Sequence, residues 1–194
     1  MKQSFCWWAG RNLGLWTLFL LAPTSLAQEI PSANLSGIYL SKEDFASNSI
    51  SFAHEIDSKH YLQIDLNRNI ILVRNDITTK FGPGECFGYH YRSDKYRAYS
   101  ERWSWRTYIG YYKIEDEGTL IVYSKRGHHK SLNAIFYYYS QSADSPILRL
   151  NIKNLKKEFP DNPELVGQLK KHRSSLKKRR GNHLVVNNII NCLQ

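Results

Sequence analysis

Between Gly37 and Ile152 the chain is a series of short segments in which apolar and polar residues alternate, separated by turn formers. Period-two alternation sends successive side chains to opposite faces of a sheet, so this stretch reads as strands. Ser49–Ile56 alternates cleanly, with Ile50 and Phe52 on one face. Tyr61–Asp65 and Ile70–Val73 flank Asn67-Arg68-Asn69, whose asparagines tolerate the left-handed backbone of a tight turn. Trp103–Ile114 meets Thr119–Ser124 across Glu115–Gly118, a hairpin in which Gly118 is expected to take positive φ. Gly37–Ser41, Ala134–Tyr139 and Ile147–Ile152 bring the total to about eight strands. No helical pattern of about 10–15 residues separates them, which argues against a parallel α/β sheet. The expected fold is mainly β, an antiparallel barrel or sandwich. Thr79–Ser100 breaks the rhythm with Gly, Tyr and charge, and reads as a long loop or irregular strand.

The period changes after Ile152. Asp161 or Asn162 can cap a helix that places Pro163 and Glu164 in its first turn. Leu165, Leu169, His172 and Leu176 then share one face, which predicts an amphipathic helix from Pro163 to Arg180 with Gly181 as its C-cap. Val185–Leu193 fits helical spacing, but its β-branched residues also suit a strand.

Charge follows the same division. The formal net charge is +10. Residues 28–152 hold 15 Lys/Arg against 14 Asp/Glu, whereas residues 153–180 hold 10 against three. The excess therefore belongs to one segment. Lys170, Lys171, Arg173, Lys177, Lys178, Arg179 and Arg180 form a candidate surface for polyanions or an anionic membrane. The competing reading is the solvated face of a docked helix.

At the N-terminus, Lys2 and Arg11 precede the apolar run Leu13–Ala22, then Pro23 and Ser25-Leu-Ala27. This is the pattern of a signal peptide cleaved after Ala27. The run of 10 residues is roughly half the length that spans a bilayer. The expected organisation is a signal over 1–27, a β-domain over 28–152, and a basic helical extension over 153–194 packed on the same domain. A secreted or periplasmic product leaves Cys86 and Cys192, expected to form a disulfide. Closing a loop of about 100 residues is worth about 4–5 kcal/mol in the chain-entropy model.

Aromatic residues crowd the β-region. Trp103, Trp105, Tyr108, Tyr137 and Tyr139 are candidate ligand-binding residues, because Trp and Tyr combine a rigid apolar body with a polar tip. The alternative is that they fill the core. Gly37-Ile-Tyr39 resembles the Gly-x-Trp opening of lipocalin-like barrels, with Tyr in the Trp place. The likeness covers that tripeptide and the strand rhythm, and carries no ligand with it. Ser36–Asp44 also echoes Ile109–Asp116, which suggests that Gly37 and Gly110 are equivalent points of close backbone approach.

No catalytic signature appears: there is no Gly-x-Ser-x-Gly, His-Glu-x-x-His or phosphate-binding loop. His128-His129 and the His54/His60 pair match no metal-ligand spacing, so neither metal nor cofactor is expected. The expectation is an exported, non-enzymatic binding protein. Its partner would be a protein or a small apolar ligand, with a basic helix that touches anionic surfaces and no specific nucleic acid. The alternative is a secreted basic enzyme, such as a nuclease working through His and Lys.

Overall fold

Alternation does set a sheet. In the computed structural model, which describes residues 34–103, 106–127 and 134–193 (side chains of 101–103 and 106 excepted), the elements begin with β1 (Leu35–Tyr39), α1 (Lys42–Ser47), β2 (Ser51–Glu55), β3 (His60–Ile64), β4 (Ile70–Arg74) and β5 (Ile77–Phe81). β6 (Gly88–Tyr91), β7 (Asp94–Trp103), β8 (Arg106–Glu117), β9 (Ile121–Arg126), β10 (Ile135–Ser140) and β11 (Leu148–Arg149) follow. The C-terminal part holds α2 (Ile152–Glu158), α3 (Pro163–Lys171), β12 (Arg179–Arg180), β13 (His183–Leu184) and α4 (Val185–Leu193). Eight strands form one antiparallel sheet in the order β11-β10-β9-β8-β7-β6-β1-β2. β3-β4-β5 form a second sheet and β12-β13 a short ribbon. Among the described residues no ladder joins β2 to β11.

Thr79–Ser100 is not a loop. It holds the end of β5, all of β6 and most of β7. Gly84 (φ 89°) turns the chain between β5 and β6, and non-glycine residues make the two hairpin turns on either side. Asn75 (φ 47°) and Asp76 (φ 64°) reverse the chain between the paired Arg74 and Ile77, and Arg92 (φ 58°) does so between Tyr91 and Asp94. In the β3–β4 turn, Arg68 takes the left-handed backbone at φ 65°. Asp65 fixes it by accepting from the Asn67 and Asn69 amides at 2.8 and 2.9 Å. Trp103 and Arg106 are cross-strand partners, so the expected single strand Trp103–Ile114 is split between β7 and β8.

Gly37 is the close approach its motif suggested: a Cβ there would lie 2.3 Å from Ile50 Cγ2 and 2.9 Å from the Ser51 carbonyl oxygen. Gly110 has no atom within 4 Å of its would-be Cβ, so the two positions are not equivalent. Ser41-x-x-Asp44 is a reciprocal capping box, and it starts α1, which strand rhythm alone did not reveal.

The sheet buries both faces. Leu120, Val122 and Tyr139 pack beneath Leu155 of α2, Leu165 and Leu169 of α3, and Val186 and Ile190 of α4. On the opposite face Tyr112 and Tyr123 meet Ile147, with Tyr138 against them. A third cluster joins Ile38, Tyr89 and Cys86 to Leu62, Ile70 and Leu72 of the small sheet. The expected Cys86–Cys192 bridge is absent: Cys86 is a free thiol inside that third cluster, while Cys192 is free and exposed on α4. Cys86 is packed among the residues shared with the small sheet, whereas Cys192 lies on the exposed side of α4 and in no core cluster.

Candidate functional site

Asn162 accepts from the Leu165 amide at 2.9 Å and Pro163 opens α3, so this end of the helix is as its caps imply. The helix then stops at Lys171, nine residues before Arg180. His172 closes it, donating its backbone N–H to Gln168. Ser174 and Ser175 are weak helix formers, and Lys177–Arg180 would stack like charges three and four residues apart on a helix. The chain turns instead, with Ser175 bonded to His172 and Lys178 to Ser175 through the backbone. Gly181, at φ 66°, turns the β12–β13 ribbon and is no helix cap. Leu165, Leu169 and Leu176 are nonetheless all buried, because the turn carries Leu176 back to the same core. Val185–Leu193, left open between helix and strand, is a helix.

The seven cations of the sequence reading are all exposed, and they do different things. Lys170 and Lys171 end α3 and Lys178 follows the turn. Arg179 is tied down: it donates to the Asn182 carbonyl at 2.7 Å and to the Glu115 carbonyl. Arg180 lines a groove of about 430 Å³ between α3 and α4, with His172, Val185, Ile189 and Cys192.

Arg173 and Lys177 enter a cleft of about 550 Å³. There they meet two cations that charge counting did not single out, Arg149 of β11 and Lys153 of α2. Leu150, Asn151, Ile152 and Leu176 complete the lining, which contains no carboxylate. Among the described residues none of the four cations forms an ion pair. Two are held over rings: the Arg149 guanidinium lies 4.7 Å from the Phe136 centroid, and Lys177 Nζ 5.3 Å from that of Tyr137. Local bonds order the walls. Asn154 Nδ2 donates to the Arg149 carbonyl at 2.8 Å, and the Leu150 amide to the Tyr137 carbonyl at 2.9 Å. Lys153 belongs to the basic segment by position, but Arg149 sits among strand residues, and no spacing rule linked it to Arg173.

The aromatic candidates do not assemble into one pocket among the described residues. Tyr139 is 1% exposed beneath α2, donating its hydroxyl to Glu158 at 3.2 Å. Burial, then the nearby Glu158 carboxylate, holds that phenol above its ordinary pKa. Tyr137 is half-buried against the same core. Tyr108 is 48% exposed on β8. The Trp103 side chain and Trp105 lie outside the described residues, as do His128, His129 and residues 1–27.

Of the other histidines, His54 and His60 face each other with ring centroids 5.9 Å apart, His60 Nδ1 held 3.0 Å from Asp57. Among the described residues no three of His, Cys, Asp and Glu gather as metal ligands would. No helix among those residues is long and apolar enough to cross a membrane. Set against known proteins, no family model, curated protein or solved structure matches this chain.

Proposed function

We propose that this is an exported, non-enzymatic binding protein that attaches to anionic surfaces through its basic C-terminal face. The observation that supports the reading is the division of labour along residues 165–180. The leucines are committed to the core, which leaves Lys170, Lys171, Lys178 and Arg180 exposed on one segment of a molecule whose β-region is close to neutral. Export belongs to the same proposal, and rests on the charge, apolar run and Ser-Leu-Ala27 of the first 27 residues. N-terminal sequencing of secreted protein should begin at Gln28, and a start at Met1 would remove this part. The finer architecture is also proposed here: a sandwich-like arrangement, supported by β3-β4-β5 packing across β1 and β6 through Ile38, Leu62, Ile70 and Leu72.

Retention on anionic liposomes against salt tests the attachment. A Lys170→Gln/Lys171→Gln/Lys178→Gln/Arg180→Gln variant should elute at clearly lower salt. Each cation near anionic lipid contributes about 1 kcal/mol, within a Debye length of about 8 Å at physiological salt. Equal elution would show a merely solvated face. A secreted nuclease is the rival reading, favoured by the His54–His60 pair and by Arg74, which stands opposite His60 in the β3–β4 ladder. RNA hydrolysis that disappears in His54→Ala would move the conclusion there.

A further inference from the structure

The cleft between β11, α2 and the turn after α3 differs in kind from the exposed basic segment. A solvated face spreads its cations, because they repel. Here Lys153, Arg173 and Lys177, from two parts of the chain, line one concavity, and no carboxylate lines it. Lys177 does not extend freely into solvent, since its Nζ is positioned over the Tyr137 ring. The Arg149 guanidinium instead lies over Phe136, on the other face of β10, and Arg149 only borders the cleft. The shape carries as much information as the charge. A cavity of about 550 Å³ falls in the range of small-molecule sites and far exceeds the volume of a bare inorganic anion. Leu150, Ile152 and Leu176 give it an apolar wall, and Asn151 a neutral polar group.

We infer that this cleft binds an organic phosphomonoester: a phosphate held by Lys153, Arg173 and Lys177, with its organic body against Leu150, Ile152 and Leu176. A phosphomonoester carries close to two negative charges at neutral pH, whereas a phosphodiester carries one and leaves more of the cationic cluster uncompensated. The Arg173 guanidinium can offer two parallel N–H donors to phosphate oxygens, and the lysines act as point charges. A free phosphorylated metabolite and a phosphomonoester lipid headgroup share this chemistry. The cleft is a site separate from the exposed basic segment, with none of Lys170, Lys171, Lys178 and Arg180 in its lining, and it goes beyond the anionic-surface reading above.

The test uses dihexanoyl phosphatidic acid below its micelle concentration, titrated calorimetrically into the full chain. It should bind one to one and saturate. Dihexanoyl phosphatidylcholine, which has the same body without the monoester, should not bind, and inorganic phosphate should bind more weakly. Lys153→Gln/Arg173→Gln should weaken the phosphatidic acid by about tenfold or more, since charge-assisted hydrogen bonds are among the stronger ones. The Lys170/Lys171/Lys178/Arg180 variant should leave that affinity unchanged. Thermal melts of both variants, expected to match the wild type, check that folding is intact. No saturable binding, or equal binding by Lys153→Gln/Arg173→Gln, overturns the inference. Vesicles of phosphatidylcholine with phosphatidic acid or with phosphatidylglycerol, matched for charge, separate the sources. Preference for the phosphatidic acid vesicles places the ligand on a membrane, and monomer binding without that preference makes it a soluble phosphate ester. Salt-sensitive but equal binding to both vesicles, with no monomer binding, overturns the cleft and leaves the surface reading standing. Monomer binding with no vesicle binding does the reverse.

Discussion

Asn187 is the residue that joins the two halves of the fold. It is 0% exposed, and its amide makes three bonds: Nδ2 donates to Asp116 at 2.9 Å and to the Leu120 carbonyl at 2.8 Å, while Oδ1 accepts from the Leu120 amide at 2.9 Å. Gly118 exists for it. A Cβ there would lie 2.7 Å from Asn187 Nδ2, so the glycine answers a neighbouring side chain and not a left-handed turn, since its φ is not positive. Asn187→Ala strands buried partners and should lower stability by about 2–4 kcal/mol, measured by urea unfolding. The two thiols make a second test at this scale. Burial pushes the Cys86 thiol up to about 11 from its ordinary 9.0, so a reagent at pH 8 should label Cys192 rapidly and Cys86 only on unfolding. The sign of the linkage follows. A thiol held neutral in the folded state adds stability below pH 9, and that increment should fade as pH rises toward 11. Equal labelling of both thiols in native protein would contradict the placement of Cys86.

The helices show what element-level patterning can and cannot reach. Leu165→Ala should cost about 2–5 kcal/mol by denaturant titration, because Leu165 sits in the core shared with the sheet, whereas Lys170→Ala should leave the midpoint unmoved. That contrast was legible from spacing alone, as were the Asn162 cap, the β3–β4 hairpin and the β8–β9 pair. The end of α3 was not. Leu176 keeps the helical phase of Leu165 and Leu169 while lying beyond the helix, so burial and helicity part company there. α1 and α2 are too short to show periodicity, and the signals that announce them are their caps, Ser41 and Asn151. Strands β5 to β7 were hidden for another reason. Their hairpin turns, β4–β5 and β6–β7, use Asn75, Asp76 and Arg92 in place of glycine, and their inward positions carry Tyr where an apolar alternation is sought. The cleft is half visible in the sequence: Lys153, Arg173 and Lys177 stand out as part of a charged block, but the cleft that brings α2 to the turn after α3 is a product of packing, which no linear pattern contains.

At the scale of the molecule, the large sheet is an almost sequential meander from β6 to β11, with β1 and β2 added beyond β6. Local pairings of this kind close quickly. Its helix-covered face is different, since the Leu120–Asn187 bond spans 67 residues. Val122 and Tyr139 are therefore emplaced long before Val186 and Ile190, which cover them, have been made. A chain still growing on the ribosome would expose an apolar sheet face until α4 had emerged. Truncation after Leu184 should leave the strands paired by circular dichroism yet bind the dye ANS and aggregate; a monodisperse, dye-silent truncate would show that α4 is dispensable. The order of synthesis thus holds back the finished core. For as long as it does, the nascent molecule is a substrate for chaperones.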